Sequence, residues 1–479
     1  MSVSYPEIRL LIDGEWTKGS GTESSPVVNP VTGETIGTVP HATIADLDAA
    51  LAAAERAFPV WRDTPVAERA RILRTAARLL RERAPRVGEA MTLEQGKPIK
   101  EATGEAQRVA GTLEWDAEES RRAYGRIIPT DPDTQLSVIR QPIGPVAAFV
   151  PWNFPAGSPM RKLAAALSAG CSVVLKPSEE TPATAVAIVE CLVEAGVPKG
   201  VVNLVFGNPP TISEHLIASP IIRLVAFTGS IPVGKQLAAM AAAQMKPTLM
   251  ELGGHAPVII CADADPVKAA KACAAGKFVN AGQVCTSPSR FIVHESLYER
   301  FVEALTEAAK AVKVGNGLED GVQMGPLANA RRLAAVDELV QDAVRAGATL
   351  TTGGHRIGET GNFYAPTVLR DVPLDARIMK EEPFGPVAPV VAFSDIEDAF
   401  AIANSLPYGL AAYGFTESAA TAADLGRRLE AGILSINHTG GSVSEAPSGG
   451  VKESGHGREG GAEALDAYLV TKRISHRLR

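Results

Sequence analysis

Three polar side chains sit in local sequence that could present them for chemistry: Asn153 in VPWNFP, Glu251 in MELGGHAP and Cys285 in NAGQVCTSPSR. A nucleophilic thiol needs exposure and room for a substrate carbon. Gly282 before Cys285, and Thr286, Ser287 and Pro288 after it, place this thiol in a turn rather than on a packed face. A free cysteine is otherwise an ordinary small buried hydrophobe, and local sequence lifts Cys285 only moderately above Cys171, Cys191, Cys261 and Cys273. Glu251 follows the strand-like TLM and precedes two glycines. A carboxylate leaving a buried strand is partly desolvated, which raises its pKa toward the range useful to a general base. A helix cap or a solvated turn residue is the other reading. Asn153 is held between Trp152, Phe154 and two prolines, a rigid loop that can aim an amide at an oxyanion. The same loop is also ordinary turn chemistry.

Two further segments suit an anionic, sugar-bearing ligand. Lys176 and Glu179 in LKPSEETP directly follow an apolar strand, and a Lys and a Glu there fit the two hydroxyls of an adenosine ribose. FTGS at 227–230 also follows a strand, and Gly229, Ser230 and Gly234 open a helix whose N–H groups could meet a pyrophosphate. It is no G-x-G-x-x-G fingerprint, and an ordinary strand-to-helix turn explains each segment as well.

The elements that must position these residues are legible as alternation. From 143 onward short apolar strands (143–150, 172–175, VVNLV and 223–227) alternate with helices over roughly 182–195 and 211–218. That pattern predicts a parallel, doubly wound sheet covered on both faces. It resumes from Pro257 to about Ile436, with helices near 265–281, 296–312, 330–346 and 395–404. The first ~40 residues (IDGEW, NPVTGETIG) read as hairpins or edge strands. Thr43 to about Arg86 reads as helix, with Ile72, Ala76, Leu79 and Leu80 on one face and Pro65 opening the second of two helices. The expected fold is α/β: two doubly wound parallel-sheet domains, residues 1–122 with 143–251 and residues 252–444, plus a small β element. That element comprises 123–142, an exposed hairpin, and 465–479, a strand without an obvious internal partner. Both suit intersubunit contacts, because an open strand edge needs covering.

Composition narrows the class. A chain of 479 residues exceeds one ordinary core. Its 46% apolar and 21% charged residues are those of a folded protein. A net charge of −7 disfavours nucleic-acid binding. No apolar run approaches the ~20 residues of a membrane span, and the N-terminal sequence carries no signal-peptide pattern. Five cysteines without C-x-x-C pairs argue against disulfides or a zinc site, so free thiols, no metal and a cytoplasmic location are expected.

PWNFP, KPSE, FTGS, ELGG, GQVC, EEPFGP at 381–386 and GGVKESGHGRE at 449–459 occur in this order. With them the chain resembles the aldehyde dehydrogenase superfamily over nearly its whole length, most closely its NAD-dependent succinate-semialdehyde dehydrogenases. The resemblance implies that Cys285 is the nucleophile and Glu251 the base that activates the deacylating water. Asn153, with the Cys285 backbone N–H, would form the oxyanion hole. Lys176 and Glu179 would hold the adenosine ribose, Ser230 the pyrophosphate, and Glu382 and Phe384 the nicotinamide ribose and ring. Pro151, Trp152, Ser178, Gly207, Phe227, Gly229 and Leu252 would complete the cofactor site. NAD is expected over NADP, because the Glu179 carboxylate would repel a 2′-phosphate. The domain at 1–122 and 143–251 would then bind the cofactor, 252–444 would be catalytic, and the protein would be a homodimer or homotetramer.

The resemblance also bears on the aldehyde. Arg161 stands six residues beyond Pro155, where relatives acting on carboxylated aldehydes carry Arg and can grip a distal carboxylate. A surface salt bridge is the plain alternative. Phe154 and Ser442 match further substrate contacts. Two positions depart from the succinate-semialdehyde pattern: Val279 replaces a second Arg, and Ser448 replaces a Phe, which should widen or wet the pocket mouth. A bulkier aldehyde or broad specificity is therefore the alternative. A coenzyme A-acylating enzyme is disfavoured by Glu251, and an idle binding relative by the presence of all three reactive groups.

Overall fold

A computed structural model describes residues 5–440 and 443–478; Ser442, expected to touch substrate, lies outside them. The chain opens with β1 (Leu10–Ile12) and β2 (Glu15–Thr17), an antiparallel pair joined at Asp13–Gly14. Both turn residues have positive φ, 53° and 80°, the backbone a tight two-residue hairpin demands. β3 (Ser24–Val28) and β4 (Thr35–Pro40) form a second, separate hairpin. Three helices follow: α1 (Ile44–Asp63), α2 (Val66–Gln95) and α3 (Ile99–Glu119). A reciprocal Thr43–Asp46 capping box starts α1, and Pro65 precedes α2. The helical region thus runs well past Arg86. α2 continues through Pro85 because its apolar face is buried on both sides of the proline.

β5 (Arg126–Ile128) and β6 (Thr134–Pro142) form the predicted hairpin. The first large sheet is then built from β7 (Val146–Phe149), β8 (Val173–Lys176), β9 (Val202–Leu204), β10 (Leu224–Thr228) and β11 (Thr248–Glu251). Its crossovers are α4 (Gly157–Ala169), α5 (Pro182–Glu194), α6 (Pro209–Ala218) and α7 (Ile231–Ala243). The five strands are parallel in the order β11-β10-β7-β8-β9, with β1 and β2 added antiparallel beyond β9. Their residues are almost all buried, as continuous apolar runs covered on both faces require.

The second sheet starts at β12 (Ala256–Ile260), four residues after β11, and continues with α8 (Pro266–Lys277) and β13 (Pro288–His294). The strands 349–352, 367–370, 387–393, 411–415 and 433–436 complete seven, all parallel except 349–352. The helix expected to reach 281 stops at Lys277, because Asn280 and Ala281 adopt left-handed φ of 50° and 54°. The chain then returns to the first sheet, where Gly455–His456 pairs antiparallel with Met250–Glu251. The C-terminal strand, expected to lack an internal partner, has one. Leu469–Arg477 pairs with β6 at nine positions, giving a three-stranded sheet with β5. Sequence periodicity shows strand character but not a partner more than 300 residues away.

Candidate active site

Chain order reverses between β7 and β10: β8 and β9 extend the first sheet on one side, β10 and β11 on the other. A crevice opens at such a switch point, outside the carboxyl ends of the strands. Asn153, Glu251 and most of the predicted cofactor residues leave those ends. Pro151–Phe154 follows β7, Lys176–Glu179 closes β8, Gly207 follows β9, Phe227–Ser230 closes β10, and Glu251–Leu252 closes β11. The second unit supplies the facing wall, with Cys285 in the turn before β13 and the 381–386 loop before strand 387–393. Asn153 Nδ2 donates to the Gln283 carbonyl at 3.1 Å, tying the first loop to the second. A Cβ on Gly282 would lie 2.1 Å from the Gly385 carbonyl oxygen, so only glycine lets those two loops meet backbone to backbone.

Cys285 is half-buried, whereas Cys171, Cys191, Cys261 and Cys273 are buried. Its thiol is nevertheless pushed well up, first by desolvation and then by the negative charges of Glu251 and Glu382, with Arg161 opposing. Glu251 is likewise raised, by desolvation first and by Glu459 next, against Arg161 and Lys162. It accepts a long 3.4 Å bond from the Thr228 hydroxyl. The main chain beside it is fixed by Leu252 N–H donating to the Ser454 carbonyl at 3.0 Å. In this pocket the thiol feels the charge of the carboxylate beside it.

Arg161 lies on α4 with Nη1 3.9 Å from Glu459, whose side chain is only 3% exposed. The plain surface salt bridge is therefore not what the structure shows. Lys162, fully buried, contacts the same carboxylate. Asp116 on α3 joins them. Its carboxyl is pushed up to about 8, first by desolvation, with Arg161 opposing and Glu459 adding. Ser448 is buried and exchanges two backbone hydrogen bonds with Glu459, at 2.7 and 2.8 Å. Val279 is 38% exposed. The Phe154 ring carries the Lys97 ammonium 4.4 Å from its centre.

The remaining residues form a polar cradle along the crevice. Lys176 Nζ pairs with Glu179 at 2.7 Å, and the other Glu179 oxygen accepts from Gly207 N–H at 2.9 Å. Ser178 Oγ accepts from Glu180 N–H, so its hydroxyl braces the loop. Ser230 occupies the N-cap of α7 without spending its hydroxyl on the cap. Trp152 and Phe384 meet edge to face at 5.7 Å, and Phe384 is held at φ 42°. Glu382 accepts from Gly254 N–H at 3.3 Å, and desolvation pushes its carboxyl up to about 8. A diol, a diphosphate and a second diol could be held in turn along this line. Among the described residues no His, Cys, Asp or Glu cluster is arranged for a metal ion, and no helix is long and apolar enough to cross a membrane.

Several residues at the site had no sequence signal. Lys162, Gln283 and Glu459 sit in or beside legible motifs, but only the fold brings Lys162 to Glu459 and Gln283 to Asn153. Lys97, Glu105 and Asp116 lie far upstream of every motif.

The architecture and cleft define a two-unit α/β enzyme. The family model described as the aldehyde dehydrogenase family matches residues 16–474. The chain is 49% identical over 473 residues to 4-(hydroxymethyl)benzenesulfonate dehydrogenase TsaD1 of Comamonas testosteroni, covering 98% of each. It is 44% identical over 465 residues to the succinate-semialdehyde dehydrogenase [NADP(+)] GabD of Escherichia coli K12, covering 97% of this chain and 96% of that one. The crystal structure of succinate-semialdehyde dehydrogenase from Burkholderia pseudomallei matches with a TM-score of 0.96 at 41% identity, over 98% of each chain. The chain belongs to the aldehyde dehydrogenase family. It is an aldehyde dehydrogenase, in a family whose members use NAD or NADP.

Proposed function

We propose that this enzyme uses NAD to oxidise an aldehyde carrying a distal anionic group, such as succinate semialdehyde, to the acid. The observation that carries the reading is Arg161. Its positive charge acts on both Cys285 and Glu251, so a distal substrate anion would be drawn toward the two groups that carry the chemistry. In the proposed sequence the Cys285 thiol releases its proton to water of the half-open cleft, and sulfur adds to the aldehyde carbon. One N–H of the Asn153 amide is spent on Gln283, and the other, with the Cys285 backbone N–H, is offered to the oxyanion. A nicotinamide dinucleotide in the cradle would supply the hydride acceptor, and loss of hydride from the adduct leaves a thioester on Cys285. Glu251 then takes a proton from water, the hydroxide adds to the acyl carbon, and the C–S bond breaks to release the acid.

The cradle fits a nicotinamide dinucleotide. Lys176 and Glu179 would hold the adenosine ribose, Ser230 and the N-terminus of α7 the diphosphate, and Glu382 the second ribose beside Phe384. Trp152 packs on Phe384, and Pro151, Phe227, Gly229 and Leu252 line the strand ends between them. NAD is favoured because Glu179, pinned by Lys176 and Gly207, keeps a carboxylate where a 2′-phosphate would sit. Replacing Glu179 with Gln should raise kcat/KM for NADP relative to NAD by about tenfold or more. An unchanged ratio in steady-state assays with both cofactors would remove this argument.

A second reading has specific support: the substrate is bulkier, with a ring between aldehyde and anion. Val279 is partly exposed, Ser448 is small, and the Comamonas relative is named for a benzenesulfonate. The deciding experiment is a panel of succinate semialdehyde, 4-carboxybenzaldehyde, 4-sulfobenzaldehyde, hexanal and benzaldehyde, repeated on Arg161→Ala. If Arg161 grips the anion, kcat/KM falls by ~30-fold or more (~2 kcal/mol) for the anionic members only. An equal fall for hexanal and benzaldehyde would reject anion recognition. An acyl-CoA product formed when coenzyme A is added would reject hydrolytic release.

A further inference from the structure

Upstream of every motif, the stretch 95–105 crosses from the end of α2 into α3 and inserts an ion pair beneath the 153–157 loop. Lys97 and Glu105 are 2.5 Å apart with side chains 1% and 2% exposed. Burying both charges this completely demands that every remaining donor and acceptor be used. Lys97 Nζ donates to the Asn153 carbonyl at 3.0 Å and lies over the Phe154 ring. The other Glu105 oxygen accepts from the Ala156 and Gly157 N–H groups, both at 2.9 Å, capping α4. The pair therefore grips the loop at both ends.

The same stretch reaches the nucleophile loop. Gln95 Nε2 donates to Asn280 Oδ1 at 2.7 Å, and Gln95 Oε1 accepts from Lys97 N–H at 3.0 Å. Asn280 Nδ2 in turn donates to the Asn153 carbonyl at 2.9 Å and the Gln283 carbonyl at 3.2 Å. Gln283 is the residue whose carbonyl takes the Asn153 amide. Asn280 sits at φ 50°, a backbone region that costs free energy for any residue but glycine and persists only when its surroundings enforce it.

We propose that Lys97 and Glu105 are positioning residues for the reaction: they fix the Asn153 amide relative to Cys285 and act on catalysis through Asn153. The proposal rests on the reading of Asn153 as the oxyanion donor. A misplacement on the order of 1 Å can cost ~100-fold in rate, so the loop has little slack to lose.

The test is a double-mutant cycle on the full-length enzyme with NAD. The probe is whichever of succinate semialdehyde, 4-carboxybenzaldehyde or hexanal the wild type turns over fastest. Removing one partner would strand a buried charge, so Lys97→Met and Glu105→Gln are combined. The readouts are the single-turnover rate of NADH formation with limiting aldehyde and the Kd for NAD. In the Asn153 enzyme the pair should slow the single turnover by at least ~10-fold while the Kd for NAD changes less than ~2-fold. In the Asn153→Ala background the pair should add less than ~3-fold, because there is no amide left to position. An equal loss in both backgrounds would overturn the proposal, as would no loss in the Asn153 enzyme. A normal rate in Asn153→Ala alone would instead defeat the oxyanion reading itself. If the paired variant does not fold, Glu105→Asp, which withdraws the carboxylate by one methylene, is read in the same cycle.

Discussion

Cys285→Ala loses aldehyde oxidation by roughly 10⁴-fold or more, measured as initial NADH formation, while still binding NAD. The size of the effect follows from the absence of a substitute. Cys285 is the one cysteine of the five that is not buried. Cys171 and Cys191 are packed into the first hydrophobic core and Cys261 into the second, so none can meet an aldehyde in the cleft. Cys273 is likewise fully buried inside the second core. A replacement nucleophile would also have to stand beside the Asn153 amide, and the Gln283 hydrogen bond brings only the Cys285 loop there. Retention of more than about a tenth of wild-type turnover would refute covalent catalysis at this residue.

Glu251→Gln separates the two halves of the reaction. The base is needed for the water that releases the acyl group, so steady-state turnover falls by about 10²- to 10⁴-fold. The first turnover is spared. Glu251's charge raises the Cys285 thiol, and its removal makes the thiolate easier to form. A burst of NADH equal to the enzyme concentration, followed by near-arrest, is the expected trace. The pH profile carries the same signature. Desolvation, then Glu459, holds the Glu251 carboxyl above the ordinary carboxylate range, so it stays protonated as pH rises past that range. Wild-type turnover therefore climbs with pH as Glu251 ionises, and in the glutamine variant that limb disappears. Loss of the burst together with the steady state would show that Glu251 acts in acylation instead.

Much of this was legible locally. Asp13–Gly14 announces its hairpin, and the strand-to-helix alternation by itself places Asn153, Lys176, Ser230 and Glu251 at strand ends. These features depend on neighbours a few residues away. What escaped the sequence depends on partners far along the chain. The C-terminal strand's partner is β6, and α2 continues past Arg86 through Pro85 because tertiary burial outweighs the proline. For Arg161 a surface salt bridge stays open as the alternative until the buried Glu459 is seen beside it. Lys97 and Glu105 look like two more charges on a helix, and only the fold reveals that they are buried together under Asn153. Cys285 is the mixed case. Its turn is readable, but its distinction from four other thiols rests on exposure and on the charges around it.

The most direct test is to catch the thioester. Glu251→Gln is mixed with NAD and the best aldehyde of the panel, quenched in acid within the burst and digested for peptide mass spectrometry. The account predicts one acyl group per chain, of the mass of the aldehyde less one hydrogen in place of the thiol hydrogen, on the peptide bearing Cys285. An unmodified Cys285 peptide during an intact NADH burst, or the acyl group on another residue, would contradict it.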